Sequence, residues 1–269
     1  MPVVDLHTHS TFSDGTCTPE EVVHAALKRS VQIFSLTDHD TTNGVARAAA
    51  LTQERKLRFV PGVEISTCDH DHLHFTGYNI DLTNPEFQTF LADNRTARQG
   101  RIKKVIAQLQ AAGIEISEED VFSRAANTVS RAHVADALRA KGYAPSRQAA
   151  FRKYLLEGQP GYVPAIGVSA VEAIKHIKKV GGLAVIAHPG LVSNQWDFPA
   201  WVEAGLDGIE VFYPAHSFAM RQELLYLADR YGLFATAGSD FHGPKGGRTL
   251  APGLQLPKNH FDRLMNKLF

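Results

Sequence analysis

The chain has 269 residues, 28 basic residues against 28 acidic ones, and 13 histidines. That length suits one (β/α) barrel or one core domain with an insertion, and the balanced charge means any anionic ligand must be met by local charge. Two cysteines, Cys17 and Cys68, exclude a disulfide framework and a cysteine-zinc site. No leader pattern and no apolar run of about 18 residues is present, so a cytoplasmic chain with reduced thiols is expected, with no membrane partner and no obligate protein partner.

Short apolar runs alternate with helical patterns from the start. "VVDL" (3–6) reads as a buried strand, and "TPEEVVHAALKRS" (18–30) as a helix with Thr18 as N-cap and Glu21 at the capping-box position. "VQIFSL" (31–36), the helical "NGVARAAALTQERK" (43–56), "LRFVPGVEIS" (57–66) and "HLHFTGYNI" (72–80) continue the series. From about residue 82 to 164 every pattern is helical, beginning with a long stretch rich in basic residues. The alternation resumes with a helix at 168–182 capped by Ser169, then "LAVIAHPG" (183–190), "DGIEVFYP" (207–214), a helix at 217–231, "LFATAGSD" (233–240) and a closing helix. The expected fold is α/β, with a parallel sheet that is open or closed into a barrel. Residues 1–81 and 165–269 form this core, and 82–164 an inserted all-helical subdomain.

The polar residues collect at strand ends. His7 and His9 follow the first strand, Asp38 and His39 the second, Glu64 ends the third, and His74 lies in the fourth. His188 ends "LAVIAHP", and Asp240 and His242 end "LFATAGSDFH". The carboxyl ends of the strands of a (β/α) barrel share one mouth, so residues scattered in sequence would meet there. Imidazole and carboxylate ligands suit Zn²⁺, Mn²⁺ or Fe²⁺. So many ligands exceed the needs of one ion and suit two or three, with Glu64 and Asp240 as natural bridges. Two ions about 3.5–4 Å apart can activate a water and stabilise an in-line displacement at phosphorus. His24 and His176 sit within helices and His260 in the tail, and none of them is assigned to the site. His70 and His72 read as loop residues. Asp5 is either a ligand or a hydrogen-bond partner of one.

"DLHTHSTFSDG", "TDHD", "GVEIS", "HFTGY", "IAHPG" and "GSDFH" resemble, in order, the motifs of the PHP (polymerase and histidinol phosphatase) family. The resemblance implies a distorted (β/α)7 TIM-like barrel and a two- or three-metal phosphoesterase centre holding manganese, iron or zinc, with manganese preferred. By motif, one ion would take His7, His9, Glu64 and Asp240; a second would share Glu64 and take His74 and His188; a third would take Asp14, His39 and His242. "SRAHVADAL" (130–138), "FRKYLLEGQPGYVP" (151–164) and "GIEVFYPAHS" (208–217) further resemble a subfamily acting on nucleotides. Its members remove the 3′-phosphate of nucleoside 3′,5′-bisphosphates such as pAp, and close relatives trim short 5′-phosphorylated RNA.

Such a substrate carries two phosphates, and one of them needs an anchor. The candidates are Arg131 and His133 at a helix start, Arg152 and Lys153 in the second motif, Tyr162 as a stacking platform or a core residue, and His216 at the mouth. Arg98, Arg101, Lys103 and Lys104 read as a solvated helix face, with guidance of an RNA chain as the alternative. For the chemistry, His188 or His242 is the candidate proton donor to the leaving oxygen, and Asp38 the group orienting His39 or a water. The competing readings are a 5′→3′ exonuclease on short RNA, a histidinol-phosphate-type monoesterase, an amidohydrolase, and a domain kept for structure alone.

Overall fold

A computed structural model describes residues 1–269. The elements run β1 (Val3–Asp5), α1 (Pro19–Lys28), β2 (Ile33–Phe34), α2 (Val45–Glu54), β3 (Arg58–Phe59), β4 (Gly62–Ser66) and β5 (His74–Tyr78). The helices α3 (Pro85–Ala111), α4 (Glu118–Phe122), α5 (Arg131–Ala140) and α6 (Arg147–Ala150) follow, the last continuing into a π-helical turn, Phe151–Leu155. Then come α7 (Ala170–Lys179), β6 (Leu183–Ala187), a 3₁₀ segment (Pro189–Gln195), α8 (Phe198–Ala204), β7 (Leu206–Phe212), α9 (Phe218–Tyr231), β8 (Phe234–Ala237), β9 (Leu254–Gln255) and α10 (Lys258–Leu268). The capping box expected at Thr18 is formed, and the cap expected at Ser169 is also a capping box, with Glu172.

Two sheets carry the strands, in the orders β3-β2-β1-β9 and β4-β5-β6-β7-β8. Expecting only parallel pairing was wrong at β5, which is antiparallel to both β4 and β6. The turn from Thr67 to Leu73 explains it, because a chain that reverses without a crossover helix pairs antiparallel. The single strand expected over 57–66 is also divided. Pro61 has no N–H to give a ladder, and β3 joins β2 while β4 joins β5. Backbone hydrogen bonds link the segments that follow β1 and β2 to the two edge strands of the second sheet, β8 and β4. Leu6 N donates to Ala237 O and Asp240 N to His7 O on one side; Asp40 N donates to Glu64 O and Glu64 N to Asp38 O on the other.

The largest apolar cluster lies between β4–β8 and α7, α8 and α9, and takes in Phe87, Phe90 and Leu91 of α3. Farther along the same helix, Ile102, Val105, Ile106 and Leu109 join a separate cluster with Val121, Val134, Leu138 and Leu155. Helix α3 therefore serves both cores, and its 27 residues carry it from the sheets to the helical region. No helix is long and apolar enough to cross a membrane.

Candidate metal centre and adjoining cavity

Strand ends bring the polar residues together. Glu64 on β4 stands in the middle, completely buried. Its Oε2 faces His7 Nε2 at 3.2 Å, His9 Nε2 at 3.1 Å and His39 Nδ1 at 3.1 Å. Its Oε1 faces His74 Nδ1 and His188 Nε2, each at 3.0 Å. Asp240 Oδ1 lies 3.2 Å from His9 Nε2 and 3.6 Å from His7 Nε2. Asp14 Oδ1 lies 3.2 Å from His242 Nε2 and 4.0 Å from His39 Nε2. The ligand atoms form overlapping groups, each with all its atoms within 4.8 Å of one another: His9–Asp14–His39–His242, His7–His9–Asp240, His7–Glu64–His188 and His39–Glu64–His74. His39 thus belongs with Glu64 and His74 as well as with Asp14 and His242.

Two of these residues are aimed by unusual backbone. His188 and Asp240 sit at φ of 33° and 53°, a left-handed region that turns the side chain sharply at the strand end. Close packing helps as well. A Cβ at Gly238 would collide with Glu210 and with His7, so only glycine lets the chain leaving β8 pass against the first histidine.

The donor set fits divalent cations on its own physical terms. His7 Nε2, His9 Nε2, His39 Nδ1, His242 Nε2, Glu64 Oε2, Asp14 Oδ1 and Asp240 Oδ1 are all buried without a hydrogen-bond partner. Each such atom costs about 1–3 kcal/mol, and convergent orphans of both types are what a cation satisfies. The titrations agree. Burial holds His74 and His242 down to about 4, leaving their rings neutral. Burial also works against charge on His7, but Glu64 and Glu210 on either side outweigh it and push the ring up to about 10.

Around the ligands lies a layer of orienting groups, several of which sequence reading missed. Glu210 on β7 holds His7 Nδ1 with both oxygens, at 3.1 and 3.2 Å, and accepts from His188 N at 2.7 Å. Its only signal was a carboxylate inside an apolar strand, which needs a partner when buried. Tyr213 Oη and the Arg248 guanidinium both donate to Asp240 Oδ2. Asp5 is not a ligand: it accepts from Ser239 N, Ser239 Oγ, Gly253 N and His7 N, tying the two ends of the core together.

Other expectations need correction. Asp38 does not orient His39 or face the cavity. Its oxygens accept from Ser10 N, Ser10 Oγ and Ser13 Oγ, and Ser13 in turn lies 3.3 Å from His9 Nδ1. His242 has no spare nitrogen for proton donation, with Nδ1 on Asp240 O at 2.8 Å and Nε2 facing Asp14. His188 directs Nε2 at Glu64, and its Nδ1 is buried without a partner. Of the residues expected to contact substrate, His133 is turned inward, its Nδ1 accepting from Ser130 N at 3.0 Å as part of a helix cap. His216 holds Val211 O and Gly190 N, fastening a loop rather than lining the mouth.

A cavity of about 420 Å³ opens from Asp14, His39, His74 and His242 toward the helical region. This volume lies within the usual span for small-molecule sites, about 300–1,000 Å³. Arg131 and Arg152 line it, but Lys153 and Tyr162 do not. Lys153 lies against the Tyr154 ring and reaches Tyr143 O at 3.5 Å, because adjacent residues of a helical turn face different ways. Arg98 and Arg101, expected to be solvated, line the cavity instead, since this part of α3 is packed under the helical region. Arg101 and Arg131 share Asp71, and the Arg131 guanidinium lies 5.7 Å from the Phe151 ring centre. His72, placed in a loop by its sequence, lines the cavity above His74.

Residues 5–182 match the PHP domain. The chain is similar to the 3′,5′-nucleoside bisphosphate phosphatase of Chromobacterium violaceum, at 39% identity over 96% of this chain and 93% of that protein. It is also similar to the 5′-3′ exoribonuclease Rnm of Escherichia coli K12, at 38% identity over 95% of this chain and 90% of that protein. Among solved structures, an amidohydrolase from Chromobacterium violaceum with bound sulfate and no metal is similar, with a TM-score of 0.86 at 36% identity over 97% of this chain and 96% of that one. With its strand-end histidines and carboxylates converging on one buried centre, the chain belongs to the PHP domain family and is a phosphoesterase.

Proposed function

We propose that this chain removes the 3′-phosphate of nucleoside 3′,5′-bisphosphates such as pAp, yielding the nucleoside 5′-monophosphate and phosphate. The observation that carries the reading is one cavity with convergent metal ligands at its floor and Arg101 and Arg131 on its wall. A substrate with two phosphates matches two such ends. The linked sheet edges are read as a distorted (β/α)7 barrel, with residues 82–164 as the inserted substrate-binding region.

Two or three divalent ions, manganese ahead of iron or zinc, would be held by His7, His9, Glu64 and Asp240, by His74 and His188 about Glu64, and by Asp14, His39 and His242. When bound, such ions lower the pKa of water and neutralise charge on phosphoryl oxygens. The rest falls to the chain itself. Glu210 fixes the His7 ring so that Nε2 faces the centre. Asp71 holds the Arg101 and Arg131 guanidinium groups side by side, ready for the 5′-phosphate. Phe151, Leu156 and Ile166 offer an apolar wall to the nucleoside.

The test is release of phosphate from pAp and from 3′-AMP in Mn²⁺. Losing a charge-assisted hydrogen bond of about 1.5–3 kcal/mol, Arg131→Ala should raise the KM for pAp about 10- to 100-fold and leave 3′-AMP unchanged. Equal losses on both substrates would refute the anchor. A second reading, trimming of short 5′-phosphorylated RNA, is supported by the 38% identity to an exoribonuclease. Release of nucleotides from a 5′-phosphorylated trinucleotide, faster than phosphate from pAp, would favour it.

A further inference from the structure

The inserted helices do more than line the cavity: they reach into the metal centre. Ser130 is the N-cap of α5, and its Oγ accepts from Ala132 N at 3.1 Å. A hydroxyl has a single proton, and with the cap using a lone pair that proton is free for Asp14 Oδ2, 3.0 Å away. This leaves Asp14 Oδ1 buried without a hydrogen-bond partner and facing His242 Nε2. His133 completes the brace by accepting from Ser130 N.

Arg147 on α6 is the second contact. It lines the cavity, yet its guanidinium is fully engaged. Nε and Nη2 grip the Asp136 carboxylate at 3.1 and 2.5 Å. Nη1 reaches two main-chain oxygens, of Asp14 at 3.2 Å and of Gly246 at 3.3 Å. The next residue, Gln148, donates to Gly247 O, and Thr128 N donates to Phe12 O at 3.0 Å. The loop carrying Asp14 and the loop following His242 are thus stapled together by side chains of the insertion.

We propose that Ser130 and Arg147 are positioning residues for the ion held by Asp14, His39 and His242, so that this third site is built jointly by the barrel and the insertion. The inference rests on the metal-centre reading and is independent of which phosphoester is cleaved. It assigns the insertion a role in metal retention as well as in substrate binding.

The test counts Mn²⁺ per folded full-length chain, by elemental analysis after equilibrium dialysis over a range of free Mn²⁺. Removal of an outer hydrogen bond to a ligand typically weakens metal binding 10- to 100-fold. Ser130→Ala should therefore weaken the last-filled ion about that much while the earlier ions keep their affinity. Ser130→Thr, which keeps the hydroxyl, should restore it. Arg147→Met, checked as folded by circular dichroism, should lose the same ion. Unchanged affinity of the last ion in Ser130→Ala, or an equal weakening of all ions, would overturn the proposal. A parent chain that saturates at two ions would overturn it while leaving phosphoester cleavage intact. A parent that binds none would overturn the metal reading with it. Failure to cleave pAp, with the Ser130 dependence present, would count against the proposed substrate alone.

Discussion

The floor and the wall of the cavity are built in different ways. On the floor, short side chains project from strand ends, where the sheets fix their spacing, and Glu64 touches five imidazoles from one buried position. On the wall, long arginine side chains project from helices and are set by a few carboxylates, with Asp71 placing Arg101 and Arg131, and Asp136 placing Arg147. The floor is rigid and over-determined, so loss of one group should be felt by several others. The wall is more modular: the Arg101 and Arg131 guanidiniums should be removable with a local effect, whereas Arg147, tied to Asp14 O and Gly246 O, is the one that reaches back to the floor. In the function proposed above, the first region would supply catalytic power and the second mainly substrate choice.

Glu64→Gln gives the sharpest test of that contrast. It neutralises the one carboxylate that faces five histidines, and the loss should exceed the 10²- to 10³-fold typical of removing one transition-state-stabilising group. Phosphate release from any substrate and bound Mn²⁺ should fall together; retention of either would break the picture of a shared bridge. Glu210→Gln comes next. It should weaken Mn²⁺ binding about 10- to 100-fold with little change in the KM for pAp, measured by metal titration and steady-state kinetics. Metal itself should stabilise the fold. At a hundred times Kd, one site adds about 2.7 kcal/mol, seen as a rise in Tm with Mn²⁺ that a chelator reverses.

The wall should respond more gently. Asp71→Asn loosens two arginines and should raise the KM for pAp severalfold while sparing 3′-AMP. Burial alone would raise the Asp71 pKa, but Arg131 and Arg101 outweigh it and hold the carboxyl below its ordinary range. A depressed folded pKa adds stability above the unfolded value that is lost as pH falls through the folded one. Denaturant unfolding of Asp71→Asn should therefore show a shallower loss of stability below the normal carboxylate range than the parent does. The smallest effect belongs to Lys153→Ala, which should leave the KM for pAp unchanged and alter stability by no more than about 0.5 kcal/mol.

The motif residues of the floor were legible because their types are costly at strand ends without a shared purpose. Even there, Glu210 was hidden, since a lone carboxylate within "GIEVFYP" does not say which neighbour it will meet. Asp38 was legible as a site residue but misread in role, because its partners Ser10 and Ser13 lie in the loop after β1. The wall was harder still. Arg98 and Arg101 carry the same pattern as a solvated helix face, and only the packing of the helical core beneath α3 turns them toward the cavity. Lys153 and Arg152 are adjacent in sequence and both exposed, yet only Arg152 borders the cavity.

By itself, the order of apolar runs, caps and strand-end histidines pointed to an α/β core, a helical stretch beginning near residue 82 and strand-end candidates for a metal centre, to which the motif resemblance added Asp14. Those signals are local: they depend on hydrophobic period, on capping chemistry and on residue type at an element's end. The tertiary structure alone decided that β5 runs antiparallel, that Glu210 orients His7, and that Ser130 and Arg147 reach the Asp14 loop. Each of these depends on contacts between segments far apart in the chain, whose geometry no local pattern records.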